Sequence, residues 1–276
     1  MIKRVTITVK QDLLRKLDRM IDRQHVKNRS HAVEQLIIRG LSKTDLDTAI
    51  IMAGGDGARL RPITYEIPKP LIPVKGRPVL EHQLNMLKNY DIRNVTLAVG
   101  ENYEKIKEYF GNGNKFGINI EYLVEQRSMG NVGALSLIKN KIKNTFIVLN
   151  VDALINPDIS EMYTFHKKEG RLATVLLAQV DDPSDYGVAK MRGSQIIDFE
   201  DRPSRTESNL VDASFYIFEP EVLKFMKKGK MMMKDLLKIL VQENQLSGFL
   251  YDGFLFDVAT HEGYERAIKN WKPAFA

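Results

Sequence analysis

The sequence predicts an α/β protein: a mixed, mainly parallel sheet interleaved with helices, preceded by a small strand–helix–helix module. Three observations carry that expectation. From residue 49 onward, short wholly apolar runs such as AIIMA (49–53) and FIVL (146–149) alternate with amphipathic stretches, as buried parallel strands alternate with their covering helices. The first forty-three residues instead read as one alternating strand and two short helices. Charge divides at the same place: residues 1–43 hold eleven Lys/Arg against four Asp/Glu, or +7, which leaves −1 for the rest of a chain whose net charge is +6.

That composition limits the function classes. A chain of 276 residues suits one α/β domain plus a small module. It holds no cysteine, which excludes disulfides, thiolate-bound zinc and thiol catalysis and fits a cytoplasmic protein. No run approaches the roughly 20 apolar residues of a membrane span, and the charged, alternating N-terminus does not read as a signal peptide. A basic module on a near-neutral body has the layout of a polyanion-binding head, although a solvated basic face has the same composition.

In the head, IKRVTITV (2–9) places Val5, Ile7 and Val9 on one face and Arg4, Thr6 and Thr8 on the other, the period of a half-buried strand. The run QDLLRKLDRMIDR follows with Leu13, Leu14, Leu17, Met20 and Ile21 at helical spacing, and with Asp12 early and Arg23 late as the helix dipole favours. A second helix is predicted from Asn28 or Ser30, with Ala32, Val33, Leu36 and Ile37 as its stripe and Gly40 as its stop. One strand leaves two unpaired edges, and so few residues cannot close a core alone. A second copy is therefore expected, giving a homodimer or a higher even oligomer.

This order of elements, with NRSHAVEQLIIRGL as the second helix, resembles the ribbon-helix-helix family over residues 1–43. The resemblance implies paired strands entering a DNA major groove. Arg4, Thr6 and Thr8 would then face the bases, and the amides near Arg29 and Ser30 would hold a phosphate. Lys3, Lys10 and Lys27 would add phosphate contacts. Dimerisation without DNA is the other reading. Residues 44–48 are expected to connect this head to a body at 49–276.

The body opens with AIIMA followed by GGDGARLRP. Glycines directly after a strand let backbone N–H groups approach a phosphate. No Gly-Lys-Ser/Thr follows, so this is not a Walker loop, and the third glycine of the dinucleotide fingerprint is missing. The longer pattern GGDGARLRPIT…PKPLIPVKGRPVLEH resembles the NDP-sugar pyrophosphorylases, nucleotidyltransferases that join a sugar 1-phosphate to an NTP. Within that family it resembles the mannose-1-phosphate guanylyltransferase and glucose-1-phosphate thymidylyltransferase branches. The likeness continues through EYFGNGNKFGINIEYLVEQRSMGNVGAL, FIVLNVDAL, FEDRP, VDASFYIFEPEVL and FLFDVATHEGYERA, in family order. It implies a Rossmann-like sheet, NTP and sugar 1-phosphate (or NDP-sugar) as ligands, and Mg²⁺ as cofactor.

Carried over residue by residue, the resemblance implies that Arg59 and Lys69 neutralise the phosphates, while Gly54, Gly55 and Gly57 wrap those of the nucleotide. Gly130 would lie close to the base or sugar, and Glu125 and Gly133 belong to the second substrate block. Asp201 and Arg202 would grip the sugar phosphate, and Asp212 would meet the sugar. Asp152 and Asp257 would hold the metal, which takes one or two carboxylates together with phosphate oxygens and water.

Departures from the family pattern cluster on the sugar side. Ala58 replaces a usual Thr, Asn131-Val132 replace Thr-Ala, and Val151 stands where Gly precedes the metal aspartate. Asp201 replaces Glu, Arg202 replaces Lys, Asp212 and Ser214 replace Asn and Gly, and Ala259 replaces Gly. Val151 is expected to crowd a ligand, and Asp212 to place a negative charge where an amide meets sugar hydroxyls. Two readings follow: an enzyme acting on an unusual sugar phosphate, or a catalytically impaired sensor of nucleotide or sugar nucleotide that regulates transcription through the head. Met231–Met233 read as the start of a core helix, and the histidines show no ligand spacing.

Overall fold

The structure, a computed structural model, describes residues 5–19, 21, 27–41, 46–100, 103–125, 130–226 and 229–273. The chain divides into two compact units, Met1–Thr44 and Asp45–Ala276.

The first unit holds α1 (Gln11–Arg19) and α2 (Arg29–Leu41). Asn28 caps α2, its Oδ1 accepting from the His31 amide at 3.0 Å. The two helices are tied by Arg29, whose Nε donates to Asp18 Oδ1 at 2.6 Å. Burial lowers neither group's charge here: the Arg29 hydrogen bond holds Asp18 below its usual value. Only a little apolar surface is covered, chiefly at Leu17 and Ala32, whereas Leu13, Leu36 and Ile37 are exposed.

Residues 5–10 pair with no strand among the described residues of the chain, and Val5, Ile7 and Val9 stand 79%, 51% and 42% exposed. Two expectations for this unit are corrected. Ile21 lies beyond α1, and α2 runs through Gly40 to Leu41, since a glycine weakens a helix without obliging it to stop. Lys3, Arg4, Met20 and Arg23 lie outside the described residues.

The body begins with β1 (Thr48–Met52), α3 (Ile63–Glu66), a short hairpin of β2 (Pro73–Val74) and β3 (Arg77–Pro78), and α4 (Val79–Asn89). It continues with β4 (Asn94–Val99), α5 (Glu104–Phe110), β5 (Asn119–Val124), α6 (Gly130–Gly133), α7 (Leu135–Ile138) and β6 (Phe146–Asn150). Next come β7 (Ala153–Leu154), α8 (Ile159–Glu169), β8 (Ala173–Gln179), β9 (Gly187–Arg192), β10 (Gln195–Asp201) and β11 (Leu210–Phe218). The last elements are α9 (Met233–Gln242), β12 (Leu246–Tyr251), β13 (Phe256–Asp257) and α10 (His261–Asn270).

Nine strands form one mixed sheet in the order β5-β4-β1-β6-β11-β8-β12-β10-β9. The β5-β4-β1-β6 part is parallel, and β11 enters antiparallel against both β6 and β8. Successive residues of β1 and β6 face opposite sides: Ile51, Ile147 and Leu149 enter one apolar core, while Ile50, Phe146 and Val148 enter the other. Covering both faces is what turns these strands into wholly apolar runs. Leu46, 2% exposed, also packs in the first core, so the body starts inside the stretch expected to be a connection.

A third cluster, including Leu60, Ile72, Val74, Val258 and Trp271, lies under the loops that follow β1. There Trp271 Nε1 donates to His82 Nδ1 at 3.3 Å, so the neutral ring donates from Nε2 to the Val74 carbonyl at 2.8 Å. Burial holds His82 below its ordinary pKa, as this neutral role requires.

Candidate active site

The carboxyl ends of β1 and β6 open into the same crevice, the usual ligand position on a sheet of this kind. The loop after β1 is shaped by its glycines. Gly57 sits at φ +66°, where a Cβ would lie 2.6 Å from Thr64 Cγ2, and Thr64 Oγ1 donates to the Gly57 carbonyl at 2.8 Å. A Cβ on Gly55 would come within 3.2 Å of Lys69 Nζ, and one on Gly54 within 3.4 Å of Glu125 Oε1. The structure therefore gathers Gly54, Gly55, Lys69 and Glu125 around one turn. Arg59 rides on the short turn Ala58–Leu60, anchored by fully buried Leu60.

Asp152 follows β6 by two residues. Gln83 brackets this turn, its Nε2 donating to the carbonyls of Asn150 at 2.8 Å and Ala153 at 2.9 Å. Asp257 comes from the far end of the chain through β13, which pairs with β7 so that Asp257 lies opposite Ala153. The Val258 amide donates to the Asp152 carbonyl at 2.9 Å, which locks the two aspartates side by side.

Each carboxylate has a cation. Lys69 Nζ lies 2.7 Å from Asp152 Oδ2, with both side chains under one-fifth exposed, and Arg59 Nη1 lies 3.7 Å from Asp257 Oδ2. Burial alone would raise the Asp152 pKa, but the Lys69 ammonium outweighs it and holds the carboxyl below its usual value. Asp257 is raised, first by burial and then by the Asp152 charge beside it. Two adjacent carboxylates, one lifted by the other, form a donor set that suits a hard divalent cation shared with phosphate oxygens. No cluster of three or more carboxylate or imidazole ligands exists among the described residues. Such a metal would thus depend on its substrate for further oxygens.

Beyond these aspartates lies a cleft of about 290 Å³. Six of the sequence-predicted residues line it: Arg59, Asp152, Asp201, Arg202, Asp212 and Asp257. Asp201 is paired with Lys234 at 2.7 Å. Arg202, at φ +49°, is held by its amide donating to the Tyr186 carbonyl at 2.8 Å. Asp212 sits on an irregularity of β11, where the register against β8 shifts between Asp212 and Tyr216. Its Oδ1 accepts from the Ser214 amide at 2.8 Å and its Oδ2 from the Tyr216 hydroxyl at 2.6 Å. Ser214 takes φ +57°, a conformation that glycine adopts more readily. Protein packed around Asp212 pushes its carboxyl up to about 6.

Other expected residues fall elsewhere. Gly130, at φ +76°, turns its open side to the Met231 carbonyl, with which a Cβ would collide; there its lack of a side chain serves packing. Neither Gly130 nor Gly133 lines the cleft. Val151 is 1% exposed and points into the core, so it does not crowd the cleft as expected. Ala259 leaves its amide free to donate to Asp257 Oδ1 at 2.9 Å. Met231 and Met233 are buried, and Met232 and Met233 both line the cleft. In the head, Thr6, Thr8, Arg29 and Ser30 are exposed, and Arg29 is engaged by Asp18. Sequence reasoning missed Asn150 and Tyr216, which lie inside quoted motif blocks without being singled out, and Tyr186 and Lys234, which lie outside every such block and reach the cleft only through the topology.

Comparison with known proteins accords with this geometry. Residues 48–272 match the family model described as nucleotidyl transferase, and residues 3–43 match that of the ribbon-helix-helix protein, copG family. A mannose-1-phosphate guanyltransferase of Saccharomyces cerevisiae is 36% identical over 217 residues, which are 76% of this chain and 60% of that protein. The bifunctional protein GlmU of Methanococcus vannielii is 32% identical over 223 residues, 76% of this chain and 51% of that protein. The chain thus matches only about half to three-fifths of the length of these curated relatives. A Bacillus anthracis protein provisionally assigned as a glucose-1-phosphate thymidylyltransferase, solved with sucrose, superposes with a TM-score of 0.76 at 28% identity, covering 83% of this chain and 98% of that one. A UDP-glucose pyrophosphorylase complexed with UDP-glucose shares the fold at 21% identity, with a TM-score of 0.69 over 81% of this chain and 97% of that one.

Proposed function

The chain belongs to the nucleotidyl transferase family, and from that premise we propose that its body transfers a nucleotidyl group from an NTP to a sugar 1-phosphate. An oxygen of the sugar phosphate forms a bond to the α-phosphorus, the bond from that phosphorus to the bridging oxygen breaks, and pyrophosphate leaves. The observation that carries this reading is the convergence of Lys69, Asp152, Arg59 and Asp257 at one end of the cleft.

Several anions must meet, so the residues act by positioning and by neutralising charge. The glycine turn at 54–57 presents amides to the triphosphate. Lys69, braced on Asp152, meets the phosphates as a point charge, and Arg59 does so as a fork. Asp152 and Asp257 would hold Mg²⁺, which when bound supplies charge neutralisation at the triphosphate. Arg202, which also lines the cleft, grips the phosphate of the sugar, with Lys234 and Asp201 beside it. Val151, buried in the core, leaves the path of the ligand clear.

The head, in this reading, pairs with a second copy through residues 2–9 and binds DNA. The exposed apolar row Val5, Ile7 and Val9 supports that pairing. No helix among the described residues is long and apolar enough to cross a membrane, and the lack of cysteine supports a cytoplasmic setting.

The test of catalysis is pyrophosphate release with Mg²⁺ across the four NTPs and a panel of sugar 1-phosphates. Turnover with at least one pair is expected. Nucleotide binding by calorimetry without turnover on any pair would instead favour a ligand-sensing regulator. For the head, sedimentation and a gel shift with random-sequence DNA are expected to show an even oligomer that retards DNA.

A further inference from the structure

The acidic groups at the cleft are not equivalent. Asp152 is neutralised by Lys69, Asp257 by Arg59 and Asp201 by Lys234. Asp185 is exposed to solvent. Asp212 is the exception: it is half-buried, it lines the cleft, and no ion pair reaches it among the described residues. Its two hydrogen bonds, from the Ser214 amide and the Tyr216 hydroxyl, fix the carboxylate and leave acceptor positions on both oxygens. An acid placed so is costly to ionise, and burial does push it up to about 6, yet at neutral pH it carries its charge.

A second observation points the same way. Asn150, at the end of β6, also lines the cleft, and its Oδ1 is buried with no hydrogen-bond partner. The pairing of Phe215 with Leu149 puts the end of β6 beside the Ser214 irregularity of β11. A fixed, unpaired carboxylate and an unfilled amide oxygen therefore serve one floor of the cleft. Both are acceptors. A neutral hydroxyl has one hydrogen to offer, whereas an ammonium offers three and also the missing charge.

We infer that the acceptor is an amino sugar 1-phosphate with a free amine, its ammonium seated on Asp212 and Asn150 while Arg202 takes the phosphate. The inference rests on the nucleotidyl-transfer reading above and narrows its substrate class. It also explains why the acid is held in place by Tyr216: a rigid carboxylate discriminates between a free amine and its acylated form, which has lost both the charge and two of the hydrogens.

The experiment compares kcat/KM in the pyrophosphate-release assay for 2-, 3- and 4-amino hexose 1-phosphates of the gluco and manno series with their N-acetyl and hydroxyl counterparts. The wild-type full-length chain is run beside Asp212→Asn. One free-amine substrate is expected to exceed its two neutral counterparts by roughly 10- to 100-fold, the worth of a charge-assisted hydrogen bond. Asp212→Asn should erase that margin, bringing the ratio of free-amine to neutral substrate to within about threefold of unity. A wild-type preference for a neutral sugar overturns the inference, as does a uniform loss across all sugars in the variant. Absence of turnover on every sugar would count against nucleotidyl transfer itself. In that case calorimetric binding of the same sugar phosphates decides the role of Asp212: tighter binding of an amine, lost in Asp212→Asn, sustains it, and equal binding overturns it. The wild-type comparison stands even where the variant is unstable.

Discussion

The head and the body use apolar residues in opposite ways. In the body, neighbouring residues of one strand enter two different cores, and even Leu46 ahead of β1 is buried. In the head, Val5, Ile7, Val9, Leu36 and Ile37 all stand more than two-fifths exposed. The body closes its sheet within one chain. The head has a strand's alternation without a strand among the described residues, as the proposed pairing with a second copy would require. The same periodic signal thus has two outcomes, decided by whether a hydrogen-bonding partner lies in the same chain.

Breaking the chemistry should leave the head untouched. Asp152→Ala and Lys69→Ala are expected to lower kcat/KM for pyrophosphate release by about 10²–10³-fold or more, because each strands its partner's charge at the reacting phosphates. Sedimentation of both variants should match the parent. Breaking the head should leave the chemistry untouched. Ile7→Glu puts a charge into the expected strand interface and should weaken self-association by at least about tenfold, with kcat within roughly twofold. A large fall in kcat for this variant would mean that the two units are not separate in function.

A smaller effect sharpens the picture of the body. Asp212 has its pKa raised from 3.8 to about 6, so the folded state binds its proton more tightly than the unfolded chain does. Stability from this group is present below about pH 4 and is lost as pH rises through 6. Asp212→Asn should remove that slope and raise stability by about 1–3 kcal/mol at pH 7.5, with little change at pH 4. Thermal melts at the two pH values measure it, and an equal shift at both would refute the assignment. Smallest is the cap of α8, where Asp158 Oδ1 accepts from the amides of Ser160 at 3.0 Å and Glu161 at 3.1 Å. Asp158→Ala should cost about 1 kcal/mol in a denaturant melt.

Much of this was legible because local patterns report local constraints. AIIMA and FIVL mark strands buried on both faces, and the glycines after β1 mark a turn that Gly57 requires. Arg59, Asp152 and Asp257 were found through motif blocks, and all three line the cleft. What was not legible depends on pairings across long stretches of chain. The Lys69–Asp152 ion pair joins residues 83 apart, and Lys234 reaches Asp201 across 33. Val151 looked obstructive from its position before Asp152, because the direction of a side chain in a turn is set by tertiary packing. Gly130 takes φ +76° with its open side against the Met231 carbonyl. A glycine in sequence reports a close approach without saying what approaches.

The most direct test of the account is pyrophosphate release by residues 45–276 alone, measured beside the full-length chain with the same NTP and sugar phosphate. The account predicts the same kcat/KM within about twofold, because every residue assigned to the chemistry and every core beneath it belongs to the body. Loss of turnover in the isolated body, while the full-length chain stays active, would contradict it.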